Sequence, residues 1–374
     1  MSTSMMAGCW KHTAVRTTAS ASSTSQAADA INDFVVEQMN RYQIPGLSLS
    51  ILLSGQVVTE RSYGFNDLEF GIKADNKTVY QLASVAKIFT SVGLMMLVDE
   101  GKLSLDSRVT DLVSNLPETW SNIRLRHLLN HTSGLPSDFN SNPRYETEER
   151  VRRERERFVD AEKLDYFSVA ERLSYLTELP LQFRAGTKWA YNQPGYVLLG
   201  IIVEHVSGQR FSAFMRDRLF SKLGMDSAQF GDSRVVVPLR RQVAYTRQFG
   251  PLQNWLWPYS TSDYPAAGLN MSALDMAKFF TALTTGKLLR QATIENVWRQ
   301  VQLESGEKVK YAQGWTVREI SGLKAVGHEG GGCAWVTHVP SLDVTVIVLS
   351  NLAGSGADLG DKLADHLIQG GWFS

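Results

Sequence analysis

The chain has 374 residues, 43% apolar and 20% charged, with Lys plus Arg (38) equal to Asp plus Glu (38). That length allows one large or two modest domains with sizeable cores, and the balanced charge gives no footing for nucleic acid or an anionic membrane as partner. Two cysteines, Cys9 and Cys333, exclude a disulfide framework and read as free thiols; no apolar run reaches the roughly 18 residues that a bilayer span needs.

Residues 1–26 are rich in Ser, Thr and Ala and hold no acidic residue. The apolar core of a secretory signal is absent, so they read as a disordered leader on a soluble chain and leave the compartment open. Order is expected from Ala27, where Ile31, Phe34, Val35 and Met39 recur at helical spacing until Ile44-Pro45-Gly46 ends the helix. Leu47 to Leu53 and Val57 to Tyr63 predict two strands around a Ser54-Gly55 turn.

A helix is predicted from Ala83 to Glu100, stopped by Gly101. It is apolar almost all round, which predicts burial in the middle of the protein. From 102 to 290 the texture is mainly helical with long loops. Residues 145–163 form a dense charge run with Glu148/Arg152 and Glu149/Arg153 at favourable spacing, which reads as a solvated surface helix or a flap over a cleft. The aromatic, Pro-broken segment Asn254 to Tyr264 either caps the core or walls an apolar acyl pocket. Strands return at Lys310 to Arg318, Leu323 to His328, Trp335 to Pro340 and Val344 to Asn351, and a helix from Leu359 to Ile368 closes the chain.

Strands at both ends with helices between predict an α+β fold: a sheet domain from residues 27–82 and 265–374, and a mainly helical domain over 83–264, with the site between them.

Chemistry concentrates first at Ser84-Val85-Ala86-Lys87. Residues three apart share a helix face, so hydroxyl and amine can meet. Serine needs a neighbour to remove its proton. Desolvation and the positive helix end both discourage Lys87 from staying charged, which suits it to that task. The spacing alone is weak, because Ser305-x-x-Lys308 and Ser321-x-x-Lys324 repeat it in polar, Gly-containing turns. The buried helix behind Ser84 sets it apart.

Two other segments are peculiar. Trp189 to Tyr196 places Tyr191, Asn192 and Gln193 just before an apolar helix, as a site or as a helix-capping loop. Gly327-His328-Glu329-Gly330-Gly331-Gly332 sets glycines after a strand, where a ligand or backbone could approach closely, or where a bulge could form. His127 and His131 lie four apart, but the Glu of a His-Glu-x-x-His zinc site is missing, so no metal is expected.

Taken together and in order, Ser84-x-x-Lys87, the Tyr191 segment and His328-Glu329-Gly330 resemble the three signature elements of the class C β-lactamase-like serine hydrolases, a superfamily with β-lactamases, D,D-peptidases, family VIII carboxylesterases and some acyltransferases. Arg126 to Pro136, Tyr196 to Gly200 and Ala267 to Ser272 extend the resemblance over residues 28 to 352. It implies a β-lactamase/transpeptidase-like fold, an acyl-enzyme on Ser84, Lys87 as its base and no cofactor. Tyr191 would be the general base or acid, its phenol lowered from about 10 by the neighbouring cation. Gln193, His328, Gly330 and Gly331 would line the substrate cleft, with the oxyanion held by the Ser84 and Gly331 N–H groups.

The usual second element is Tyr-x-Asn, and Gln193 replaces that Asn; His328 stands where many relatives carry Lys. Both departures weaken a lactam reading and leave the nucleophile untouched. The expected partner is a small-molecule ester or amide. A carboxylic ester is the leading substrate, with β-lactams or D-Ala peptides and acyl transfer to an alcohol or amine as alternatives; intact Ser84, Lys87 and Tyr191 argue against a silent binding protein.

Overall fold

The computed structural model describes residues 21–136, 169–231, 241–255 and 263–373. The charge run at 145–163 and most of the Asn254 to Tyr264 segment lie outside them.

A seven-stranded antiparallel sheet is the frame. It draws β1 (Gly46–Leu53), β2 (Gln56–Asp67) and β3 (Ile72–Lys73) from one end of the chain. The short strands β4 (Tyr80–Gln81), β5 (Gln229–Phe230), β6 (Tyr245–Thr246), β7 (Gln253–Asn254) and β8 (Leu269–Met271) form smaller sheets with β13 (Leu352–Ala353). The large sheet is completed by β9 (Thr316–Ile320), β10 (Leu323–Gly330), β11 (Ala334–Val339) and β12 (Val344–Ser350), in the order β3-β2-β1-β12-β11-β10-β9.

Alternation sorts side chains between the two faces. Leu47, Leu49, Ile51, Val346 and Val348 turn toward helices α1 (Ala21–Tyr42) and, at the chain's other end, Leu359–Gln369. Ile347, Leu349 and Val336 turn toward the larger core. That core surrounds α2 (Ala86–Asp99), which opens with a 3-10 turn at Ala83–Val85. Around it lie α3 (Val109–Leu112), α4 (Leu125–Leu129), α5 (Val169–Glu178), α6 (Gln193–Ser207), α7 (Phe211–Met215), α8 (Ala273–Thr284) and α9 (Gln291–Val297); Leu359–Gln369 is α10.

Several boundaries differ from the sequence reading, β2 running on to Asp67 among them. Helix α1 starts at Ala21, inside the stretch expected to be a leader. The strand expected at Lys310 to Arg318 begins at Thr316, because Gly314 takes a φ of 87° and Ala312 N–H bonds back to Trp315 O at 2.7 Å, closing a tight turn first.

Burial of an all-round apolar helix leaves its polar members to find partners. On α2 they find loop carbonyls: Thr90 donates to Pro265 O at 2.6 Å and Ser91 to Gln313 O at 2.5 Å. These bonds tie two connecting loops to the helix that carries the Ser-x-x-Lys pair.

Candidate active site

Ser84 sits in the 3-10 turn at the head of α2, and the residue before it is strained. Ala83 is buried at a φ of 45°, a left-handed conformation that a side chain makes costly. The kink lets the chain leave β4 and enter the helix within three residues, presenting Ser84 at the junction of helix and sheet.

One turn on, Lys87 is fully buried. Its Nζ lies 3.3 Å from Ser84 Oγ and donates to Ala266 O at 2.8 Å. Burial holds its pKa well below the ordinary 10.5, against a smaller pull from Asp263 in the other direction. Burial thus shifts the balance toward the neutral amine, whose lone pair can accept a proton.

Tyr191 arrives from the loop before α6, and its hydroxyl donates to Ser84 Oγ at 3.0 Å. Here the expectation of a lowered phenol pKa fails. Desolvation raises it, opposed by the Ser84 hydrogen bond and reinforced by Glu329. The cation invoked to lower it is itself discouraged at Lys87, so Tyr191 rests as a neutral donor and not as a phenolate.

Directional bonds hold that loop. Asn192 caps α6, accepting from Gly195 N–H at 2.8 Å, while its amide donates to Leu135 O at 2.9 Å and Pro136 O at 3.1 Å. Its own N–H donates to His131 Nδ1 at 3.2 Å, and Ala190 N–H donates to His131 O at 3.0 Å. The segment therefore caps α6 and also brings the Tyr191 hydroxyl within hydrogen-bond distance of Ser84 Oγ. Gln193 is the first residue of α6, its Oε1 buried with no hydrogen-bond partner among the described residues.

His328 is 4% exposed, with both ring nitrogens engaged inside the protein. Nδ1 faces Glu329 O at 2.6 Å, a carbonyl that can only accept, so Nδ1 carries the proton and Nε2 accepts from Tyr311 OH at 3.0 Å. Burial, with Lys87 next, lowers its pKa to about 3. It stands neutral behind Tyr191, their ring centroids 6.3 Å apart.

Strand β10 outlasts β9: pairing ends at Gly327 opposite Thr316, which leaves His328, Glu329 and Gly330 unpaired on that edge. Gly330 lies so near the 3-10 turn that a Cβ there would stand 3.1 Å from Ser84 N. Gly331 and Gly332 then turn with φ of 55° and 66°, and Gly331 O accepts from Gly354 N–H at 2.8 Å. Helix head and strand end thus converge where a carbonyl oxygen could meet two backbone donors.

In the sequence His131 reads as half of a possible metal pair and as part of the Arg126 to Pro136 segment that carries the resemblance. In the structure it is the hub of an aromatic cluster, 4.4 Å from the Tyr191 ring, 4.7 Å from Tyr311 and 5.3 Å from Tyr196. His127 turns its Nδ1 to Arg124 N–H at 3.1 Å. Among the described residues no group of three or more His, Cys, Asp or Glu could hold a metal ion. Nor does any described helix have the length and apolarity to cross a membrane. Ser305 and Ser321 of the two other Ser-x-x-Lys repeats lie in turns, with Lys324 already in β10; Ser321 Oγ bonds Asp365 at 2.5 Å, and Cys333 is a buried free thiol.

The family model described as Beta-lactamase matches residues 31–369. Penicillin-binding protein 4* of Bacillus subtilis is 24% identical over 315 residues, which cover 79% of this chain and 66% of that protein, so the chain spans about two thirds of its length. Among solved structures, the octameric penicillin-binding protein homologue from Pyrococcus abyssi superposes with a TM-score of 0.75 at 26% identity, covering 92% of this chain and 77% of that one. D-amino acid amidase from Ochrobactrum anthropi SV3 (TM-score 0.75, 22% identity, 92% and 98% covered) and EstCE1, described as a hydrolase with promiscuous acyltransferase activity (0.75, 18%, 92% and 100%), share the fold. The α+β, β-lactamase/transpeptidase-like architecture that the motifs implied is the one these structures have.

Proposed function

The chain belongs to the β-lactamase family, whose members are serine hydrolases, and on that premise we propose that it works through an acyl-enzyme on Ser84 with a carboxylic ester as its preferred substrate. One observation carries the reading: Ser84 Oγ stands 3.3 Å from a buried, neutral-leaning Lys87 amine and 3.0 Å from the Tyr191 hydroxyl. Lys87 takes the Ser84 proton as Oγ attacks the carbonyl carbon. The oxyanion is held by the N–H groups of Ser84 and Gly331. Tyr191, protonated at rest, gives its proton to the departing alkoxide and recovers one from the Lys87 ammonium. Water then repeats the attack on the acyl-serine and frees the acid.

The preference for esters rests on what surrounds the nucleophile. A substrate carboxylate, as in lactams and D-Ala peptides, would need a cation beside it, and His328 is neutral with both nitrogens engaged. Gln193 supplies a longer amide where the Tyr-x-Asn pattern has Asn.

Ser84→Ala is expected to abolish turnover and covalent labelling by a serine-directed phosphonate, while Ser305→Ala and Ser321→Ala leave labelling intact. Persistent mass-shifted Ser84→Ala protein would sink the assignment. In a side-by-side panel, p-nitrophenyl esters should outpace a chromogenic lactam and D-alanine amides. Faster lactam or D-alanine amide turnover would overturn the ester reading, and product formed chiefly with an added alcohol or amine would make the chain a transferase.

A further inference from the structure

At the end of β10 stand three successive glycines, Gly330 to Gly332, and a glycine backbone takes either sign of φ at little cost. Sterics alone therefore leave the Gly331 N–H free to point toward an oxyanion or away from it. Hydrogen bonds supply the restraint that the glycines lack. Gly331 O accepts from Gly354 N–H at 2.8 Å, and Gly332 O accepts from Ser355 N–H at 3.3 Å and from Ser355 Oγ at 2.6 Å. Gly332 N–H donates to the Glu329 carboxylate, and Cys333 N–H closes the turn on Gly330 O at 3.0 Å. Of the three successive N–H groups from Gly331 to Cys333, the last two are thus engaged inside the protein. The first, on Gly331, is the donor that the acyl-enzyme reading gives to the oxyanion.

We propose that Glu329 and Ser355 are positioning residues for this donor, holding the glycine turn so that Gly331 N–H faces the carbonyl oxygen. The inference rests on the reading above, in which the N–H groups of Ser84 and Gly331 form the oxyanion pair. Neither side chain needs to touch substrate. Glu329 lies opposite Trp335, which packs in the core beneath α10, so its side chain leaves the sheet on that face, away from Ser84. From there it reaches round the strand end to the Gly332 N–H. Ser355 comes from the segment after β13 and holds the same glycine by its carbonyl. Gly332 is thereby tied at its N–H and at its C=O. That restrains both of its backbone torsions and, through the shared peptide, the orientation of Gly331.

Two esters with one leaving group test this: p-nitrophenyl butyrate and its thiono analogue, in which sulfur replaces the carbonyl oxygen. Released p-nitrophenolate is followed by colour for both. Sulfur accepts hydrogen bonds poorly, so a well-aimed oxyanion donor favours the oxoester, and the ratio of the two kcat/KM values reads that aim. Glu329→Ala should lower kcat/KM for the oxoester by about 10- to 100-fold, since a misplacement of about 1 Å costs on the order of 10²-fold. It should narrow the oxo-to-thiono ratio as well. Glu329→Gln keeps an oxygen to accept from Gly332 N–H and should keep the native ratio. Ser355→Ala should narrow the ratio less than Glu329→Ala, because Ser355 N–H still holds Gly332 O. A variant that is merely less folded loses both rates together and leaves the ratio where it was. A ratio that stays native in either alanine variant, or that Glu329→Gln narrows as far as Glu329→Ala, overturns the inference alone. No turnover of p-nitrophenyl butyrate by the native protein overturns the ester reading and this inference with it.

Discussion

The two segments that meet at Ser84 are held by different physics. The head of α2 is fixed by burial: Val85, Ala86, Ile88 and Phe89 are all 1% exposed or less, and the same burial that fixes Lys87 depresses its pKa. The Trp189–Gln193 loop has an exposed rim, with Trp189 and Tyr191 each 39% exposed, and is fixed by the hydrogen bonds of Asn192 and His131. Burial tunes the chemistry of what it holds, whereas directional bonds tune only position. A site that needs a neutral amine and a precisely aimed phenol uses one device for each.

The largest test of that contrast is Lys87→Met, which keeps the packing and removes the amine. Activity is expected to fall by about 10³–10⁴-fold, the scale of a lost general base. Stability should hold or rise, since a buried polar group is gone. The sign with pH follows from linkage. The folded pKa lies below the ordinary 10.5, so between the two the unfolded chain holds the extra proton and stability rises with pH. Lys87→Met should lose that slope, so its advantage in urea unfolding should be greatest at the acid end of the window. Activity within tenfold of native, or a variant less stable at every pH, would break the burial half of the comparison.

A smaller effect is expected in the loop. Asn192→Ala should cost about 0.5–2 kcal/mol of stability through the lost cap, and lower kcat by misplacing Tyr191 while leaving the pH dependence of rate where it was. Asn192→Asp keeps the acceptor for Gly195 N–H and loses both donors, so it should fall between. A shifted pH profile in either variant would show that the loop tunes chemistry after all.

Legibility followed the same division. The Ser84–Lys87 half could be found from the residues, because an unbroken apolar helix predicts burial and burial predicts a depressed lysine. The Tyr191 half needed the family resemblance, since hydrogen bonds to Leu135, Pro136 and His131 join segments about 55 to 60 residues apart and leave no periodic mark. Attention went to Gln193, while Asn192 does the capping. Tyr311 and the hub role of His131 were missed because ring contacts between distant segments have no sequence pattern. The tyrosine pKa went the wrong way because a neighbouring charge was assumed that burial itself suppresses.

The centre of the large sheet pairs Leu47 with Ser350 and Leu53 with Val344. Closing that contact spans about 300 residues of chain, a search whose entropy grows with loop length and which slows folding. During synthesis β1 must wait, its inner edge open, until nearly all the described chain has been made. Refolding followed by pulsed hydrogen exchange should protect amides of α2 and α6 before those of β1 and β12, and simultaneous protection would refute that order. The helix that carries Ser84 would then be in place before the strand end that faces it, and the two backbone donors would come together only as the last central strand docks.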